Sequence, residues 1–161
     1  MNRRRLLTWT ALILAVPLLL AQAVPYGRDH ANPPVTAEPE WDSPRTRELA
    51  RRACFDCHSN ETRWPWYSNI APLSWQIQGH VDEGRQELNF STFDRPQEEA
   101  EDAAEGLLSG EMPPWDYLLV HPEARLTASE KAELARGFRA TFGGESEGRN
   151  GRHLDDECEE S

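Results

Sequence analysis

Residues 54–58 read Cys54-Phe-Asp-Cys-His58, a C-x-x-C-H pentapeptide in a chain of 161 residues. Two thiols at this spacing lie on the same side of a helical turn, and the histidine follows the second cysteine directly. This pattern is typical of covalent haem attachment, because the two thiols reach the two vinyl groups of one porphyrin while the imidazole points at the iron. The pentapeptide therefore predicts one haem c, bound through Cys54 and Cys57, with His58 as an axial iron ligand.

Three other uses of a C-x-x-C pair explain the sequence less well. A structural zinc site needs further ligands, and the sequence contains no second C-x-x-C pair and no H-x3-H pattern. A thioredoxin-like redox pair follows a strand, and none is predicted here. A disulfide between Cys54 and Cys57 leaves His58 without a role. The third cysteine, Cys158, lies among acidic residues, which disfavour a reactive thiolate, and no role is predicted for it.

Met112 is the predicted second axial ligand. It lies in Gly110-Glu-Met-Pro-Pro114, where two prolines stiffen the loop and lower the entropy cost of holding a thioether in place. Methionine ligation raises the reduction potential of a haem and suits electron transfer. His80 is the alternative, because it lies beside the apolar side of a predicted helix and bis-histidine haem is common. His30 and His121 lie in loops without a supporting pattern, and His153 lies in the tail.

The N-terminus has the composition of an export segment. Arg3, Arg4 and Arg5 precede the nearly apolar run 6–20, and Ala21-Gln-Ala23 resembles a small-residue cleavage site. Residues 6–24 are also long enough to cross a bilayer, since a spanning helix needs about 20 residues. Residues 1–24 are therefore predicted to be a transmembrane signal anchor, or a signal peptide cleaved after Ala23. The positive-inside rule places the rest of the chain on the periplasmic side of the cytoplasmic membrane.

The net charge of the chain limits the classes of partner that it can bind. It has 28 acidic and 17 basic side chains, a net charge of −11. A nucleic-acid binder needs a basic face to neutralise phosphates, so that class is excluded. An acidic surface favours redox partner proteins with a basic docking face. No nucleophile–base pair or open catalytic metal site stands out, which favours an electron carrier over an enzyme.

The remaining pattern predicts an all-α domain. Residues 26–44 are proline-rich and extended, four helices follow, and no segment has the alternation of a strand. The predicted helices cover residues 45–57 (after Ser43-Pro44), 75–88 (capped by Ser74), 96–108 (ended by Gly110), and a segment that starts at the capping box Thr127-Ala-Ser-Glu130 and carries Leu134, Phe138 and Phe142. Residues 61–75 and 111–122 are predicted loops. Residues 143–161 are a predicted disordered acidic tail.

Aromatic residues are concentrated between the cysteines and the tail. They are expected to cover the haem or to form ordinary core, and their ring N–H and O–H groups can bond propionates. The residues concerned are Trp64, Trp66, Tyr67, Trp75 and Trp115. Arg63 is a candidate to pair with a propionate.

Together these segments resemble the c-type haem-binding domain of bacterial exported proteins. The matching segments are residues 24–28 (VPYGR), 32–35 (NPPV), 54–62 (CFDCHSNET), 64–67 (WPWY), 71–75 (APLSW), 80–85, 88–91 (LNFS), 112–114 (MPP) and 121–125 (HPEAR). The resemblance covers about residues 24–142 and implies covalent haem at Cys54, Cys57 and His58 in a cytochrome-c-like helical domain. It favours an anchor over a cleaved peptide, because residue 24 already belongs to the pattern.

The predicted organisation has three parts: a signal peptide or anchor at 1–24, a haem-binding domain at 25–142, and a tail at 143–161. The predicted function is single-haem electron transfer outside the cytoplasm, with His58 proximal and Met112 distal. The alternative is a haem-based sensor or ligand-binding module whose sixth position is open or occupied by His80.

Overall fold

The computed structural model of the protein describes residues 2–143. Seven α-helices lie within those residues: α1 Arg3–Ala21, α2 Pro44–Ala53, α3 Phe55–His58, α4 Leu73–Glu87, α5 Ala103–Ser109, α6 Trp115–Val120 and α7 Ala128–Phe142. Within the same residues, extended pairing is limited to one bridge between Ala37 and Thr92. The prediction of an all-α domain preceded by an apolar helix is confirmed. The predicted tail, with Cys158 and His153, lies outside the described residues.

Helix α1 has no buried residue. With 19 residues, the helix is long and apolar enough to cross a membrane, and an N-terminal signal sequence would have the same properties. At 1.5 Å per residue the helix is about 28 Å long, close to the thickness of a bilayer core.

The core contains an aromatic cluster that includes one residue of the C-x-x-C-H pentapeptide. Phe55, the second residue of the pentapeptide, is buried and stacks on Phe90 with ring centroids 5.4 Å apart. Phe90 in turn packs against Phe138 and Phe142 of α7. Burying each such ring contributes roughly 1.5–3 kcal/mol. The cysteine turn is thus joined to the buried core, in which Leu134 and Phe138 of α7 also lie.

Two predicted helix starts are confirmed by their caps. The Ser43 side chain accepts from the backbone N–H of Thr46 at 3.1 Å, ahead of α2. Thr127 and Glu130 form the reciprocal capping box of α7. Gly110 ends α5 with φ of 85°, as a left-handed cap requires.

Other predicted boundaries are wrong, and each has a local cause. The run after Pro44 breaks at Cys54, so that α2 ends at Ala53 and α3 begins at Phe55. Helix α4 begins at Leu73, after Pro72, so that Ser74 does not cap it. Ser74 is instead buried inside the helix, 3.5 Å from the carbonyl of Tyr26.

The predicted helix over 96–108 is shorter than expected. Gln97 is held in a non-helical conformation because its side chain accepts from the Asn89 N–H at 2.8 Å and donates to the Thr92 carbonyl at 3.1 Å. A 3₁₀ turn (Glu98–Ala100) therefore precedes α5. Leu108, expected to face inward, is 49% exposed. The predicted loops also contain a 3₁₀ turn, Trp66–Asn69, and helix α6, which buries no residue and so left no apolar stripe in the sequence.

Candidate haem site

The pentapeptide forms a short helical turn that presents its two cysteines on one side. The Cys54 carbonyl accepts from the N–H of His58 at 2.9 Å and from that of Cys57 at 3.2 Å. Both thiols are free. Burial raises the pKa of each thiol to about 12, and the neighbouring thiol adds to the rise at Cys54. The cysteines are therefore protonated thiols at neutral pH.

The ring of His58 is oriented by two backbone carbonyls. Its Nδ1 lies 3.0 Å from the carbonyl oxygen of Gly84 and 3.0 Å from that of Leu88. Carbonyls only accept hydrogen bonds, so Nδ1 carries the proton and Nε2 is the unprotonated nitrogen. Burial lowers the pKa of His58, which also favours the neutral ring. Neutral imidazole with Nδ1–H bonded to a carbonyl is the form in which histidine ligates a metal.

Gly84 allows α4 to approach the pentapeptide closely. A Cβ at this position would lie 2.8 Å from the carbonyl oxygen of Cys57 and 3.1 Å from its carbonyl carbon. These are backbone atoms, which cannot rotate away. The close approach puts the Gly84 carbonyl within reach of His58, so a glycine is required here by packing rather than by φ.

All the predicted cofactor residues lie on the wall of one cavity of about 800 Å³. Its lining includes both cysteines and His58, together with His80 and Met112. The size is within the range of cofactor pockets, and the donor set of two thiols, one oriented imidazole and either a second imidazole or a thioether suits a covalently held haem. The residues present therefore fit the predicted group.

Met112 and His80 reach this cavity from different elements. The Met112 N–H donates to the Gly106 carbonyl at 3.0 Å, which places the loop after α5 against that helix. His80 lies on α4, one turn before Gly84. The structure brings both candidates to the same cavity as His58 and does not separate them.

A second cavity of about 470 Å³ adjoins the first. Asp56, Cys57, His80 and Tyr117 line both. Of the aromatic residues expected to cover the haem, Trp66 and Tyr67 line the second cavity. Trp64 instead stacks on His30, and Trp115 is 75% exposed.

Tyr117 and Asp56 are site residues that the sequence analysis missed. The Tyr117 hydroxyl donates to Asp56 Oδ2 at 2.8 Å, and burial followed by this carboxylate raises the pKa of Tyr117. Arg63, expected near a propionate, donates to both oxygens of Asp56 at 3.1 and 3.2 Å. No sequence signal predicted Tyr117, because its segment has no apolar periodicity. For Asp56 the one available signal was its position inside the C-x-x-C-H pentapeptide.

The haem cavity has an acidic lining. Seven carboxylates contribute to its wall: Asp56, Glu83, Glu87, Glu99, Asp102, Glu105 and Glu111. Of the side chains on this wall, the only ones that can become positive are the two histidines. A bound cofactor would therefore lie in a negative field that attracts cations to the cavity mouth.

Comparison with known proteins agrees with this geometry. The model of a haem-binding domain family matches residues 16–140, most of the chain. The chain belongs to the haem-binding domain family. No curated protein and no solved structure matches this chain. As a family member, the protein binds haem, and the cavity that holds the predicted ligands is the candidate site.

Proposed function

We propose that this haem-binding domain protein is an exported c-type cytochrome that carries single electrons outside the cytoplasm. The observation that carries the proposal is the convergence of Cys54, Cys57, His58 and Met112 on one cavity. Cys54 and Cys57 would hold one haem as thioethers, and His58 Nε2 would ligate the iron. When bound, the haem supplies a centre that gains or loses one electron.

The chain's own residues prepare the site for that role. The Gly84 and Leu88 carbonyls fix the tautomer and the plane of His58. Met112 would be the distal ligand on a loop held by Gly106 and by Pro113, which is buried. A thioether ligand stabilises the reduced iron and raises the potential. We assign no catalytic step to the protein.

Export and partner choice form the second part of the proposal. Helix α1 would anchor the domain on the periplasmic side, or would be removed after Ala23 as a signal peptide. The acidic lining of the cavity supports a redox partner with a basic docking face, because opposite charge steers encounter at low salt.

One observation supports an alternative. His80 lies on the wall of the same cavity, so a haem with a His80-ligated or open sixth position would make the protein a sensor or ligand-binding module. The two readings differ in the spectrum of the matured protein.

Covalent attachment is tested first, by denaturing gel electrophoresis with haem staining of the matured full chain. We expect haem to stay with the polypeptide, and Cys54→Ser with Cys57→Ser to abolish the stain. Cys158→Ser is the matched control and should leave it intact. Loss of haem from the wild type on denaturation would reject the c-type assignment.

Ligation is tested by absorption spectroscopy of the oxidised protein. Met112 ligation predicts a low-spin spectrum with a methionine–iron charge-transfer band that disappears in Met112→Ala and persists in His80→Ala. A low-spin spectrum lost only in His80→Ala assigns the sixth position to His80. A high-spin spectrum of the oxidised protein that ignores Met112→Ala, together with a spectrum of the reduced protein that shifts with carbon monoxide, favours the sensor.

A further inference from the structure

A group of large apolar side chains on the surface has no role in the proposed electron transfer. It comprises Trp66, Ile70, Leu73, Leu119 and Val120, here called the apolar face. All five are exposed, and Trp66 has 76% of its surface open to solvent. All but Ile70 line the second cavity together, so the side chains form one surface rather than scattered positions. A contiguous exposed apolar surface marks an interaction site.

The apolar face lies at the end of helix α1. Gln22, the first residue after α1, donates from Nε2 to the Ala71 carbonyl at 2.8 Å. Its Oε1 accepts from the Ala71 N–H at 3.1 Å and from Arg28 at 3.1 Å. This reciprocal pair fixes Ala71, which is buried between the exposed Ile70 and Leu73, against the exit of the helix.

The length of α1 sets the height of this contact relative to a bilayer. The apolar part of α1, residues 6–21, is about 24 Å long and follows Arg3, Arg4 and Arg5. When it spans the membrane with these arginines at one boundary, Gln22 lies at the opposite boundary with the headgroups. Ile70 and Leu73 flank the residue that Gln22 binds, so they lie at the same level. Trp66, on the adjacent 3₁₀ turn, has the amphipathic ring that is enriched at membrane interfaces.

Electrostatic attraction does not explain such a contact. The chain carries a net charge of −11, which anionic lipids repel. The contact therefore depends on the apolar side chains themselves, which gain by leaving water.

We propose that the apolar face lies on the outer surface of the bilayer that holds α1, so that the domain rests on the membrane instead of hanging from a free tether. This inference rests on the proposed anchoring by α1. It predicts a defined orientation of the haem cavity relative to the membrane.

The test uses the matured full chain in nanodiscs that contain a phospholipid with a photoactivatable diazirine on its acyl chain, followed by peptide mapping. We expect labelling in α1, in residues 66–73 and in residues 119–120. Leu108, 49% exposed on α5, provides the internal control and should stay unlabelled. Label confined to α1 would overturn the inference while leaving the anchor intact. Absence of label from α1 would overturn both, without touching haem attachment.

A pair of variants separates specific contact from general stickiness. Leu73→Glu places a charge in the apolar face at the first turn of α4, where an acid is compatible with the helix. We expect loss of labelling in residues 66–73 with α1 labelling and the haem spectrum unchanged. Leu108→Glu, matched in exposure, should leave every labelled segment as in the wild type. Unchanged labelling of 66–73 in Leu73→Glu would reject the proposal.

Discussion

The haem cavity has two walls that are held in place by different means. The proximal wall, residues 54–62 with residues 84–88 at the end of α4, is fixed by buried polar side chains that have hydrogen-bond partners. Ser59, Asn60 and Thr62 are buried and hydrogen-bonded, and the Phe90 N–H donates to the His58 carbonyl at 2.8 Å. The distal wall, α5 with residues 110–114, is held by apolar packing of Ala104 and Leu107 into the core and of α5 against α7, and its acids face solvent.

This difference separates two tasks. Buried, satisfied polar groups specify a single geometry, because any alternative leaves one of them unpaired. The proximal wall therefore presents His58 and the thiols in one arrangement before haem arrives. The distal wall has fewer such hydrogen bonds, and it carries Met112, one of the two candidates for the sixth position. The other candidate, His80, lies on α4.

The largest effect on stability is expected at Gly84. In Gly84→Ala the added Cβ meets backbone atoms of Cys57, so α4 must move away from the pentapeptide and His58 loses its orienting carbonyl. Overpacking against backbone costs about 3 kcal/mol, and haem incorporation should fall with it. Thermal unfolding and the ratio of haem to protein measure both.

Gly79 provides the control within the same helix. A Cβ there meets nothing within 4 Å, so Gly79→Ala should be neutral or stabilising by roughly 0.5–1 kcal/mol through helix propensity. Equal behaviour of the two variants would show that the proximal wall is not closely packed.

Arg85 should have the next largest effect. Its guanidinium donates to the Ser59 carbonyl at 2.8 Å, to the Ala31 carbonyl at 3.0 Å, and to the side chains of Asn32 and Thr62. Arg85→Met keeps the aliphatic stem and leaves the Ser59 and Ala31 carbonyls without a donor, at about 2 kcal/mol. Chemical denaturation should show a lower midpoint, whereas Arg95→Met on the exposed surface should not. A midpoint unchanged in Arg85→Met would mean that water replaces the guanidinium without cost.

The proximal wall was also the part that sequence could predict. The pentapeptide holds three of the predicted haem residues within five positions, so local spacing alone predicted Cys54, Cys57 and His58, and the structure places all three on the wall of one cavity. The caps at Ser43 and Thr127 are equally local and are confirmed. The Asp56–Tyr117 pair was not predicted, because the two residues lie 61 positions apart and come into contact only in the folded chain.

Local sequence patterns did not correctly predict the helices and did not determine the sixth ligand on the distal side of the cavity. The helix predicted over 96–108 is interrupted because the side chain of Gln97 bonds backbone groups of Asn89 and Thr92, a tertiary contact that overrides the helix formers after it. Helix α6 buries nothing and so leaves no periodic signal. The choice between Met112 and His80 depends on which side chain reaches the iron, and spacing along the chain does not determine that.

A smaller effect, in acid, is expected at the ion pair that joins the two sides. Arg52, at the end of the helix before Cys54, pairs with Glu130 at 2.6 Å, and Glu130 lies on α7, which packs against α5. The Thr127 N–H and Arg52 lower the pKa of Glu130 to about 2 from 4.5. A lowered folded-state pKa means that this stabilisation is complete above pH 4.5 and is lost as the pH falls toward 2.

The melting temperature of Glu130→Gln should therefore be below that of the wild type at neutral pH and converge with it in acid. Glu101→Gln removes the same charge from the surface and should run parallel to the wild type. If the melting temperature of Glu130→Gln instead ran parallel to that of the wild type across the pH range, the Arg52–Glu130 pair would not stabilise the packing of α2 against α7.

The smallest effect is expected from the acids of the distal wall, and it appears in rates rather than in stability. A unit charge about 10 Å from a unit charge in water is worth about 0.4 kcal/mol, or about twofold in rate. Glu105→Gln should therefore slow oxidation of the reduced haem by a small cationic complex at least about twofold at low salt and speed oxidation by an anionic one. Stopped-flow rates measured with both probes show whether the change has the expected sign for each probe.

Glu40 is exposed and lies outside the cavity lining, so Glu40→Gln is the control, with equal net charge and a smaller expected change in rate. In 1 M salt the Debye length is about 3 Å, so the difference should vanish. Equal rates for the two variants at low salt would mean that electrons leave the haem by another face, and the acidic distal wall would then have no part in partner docking.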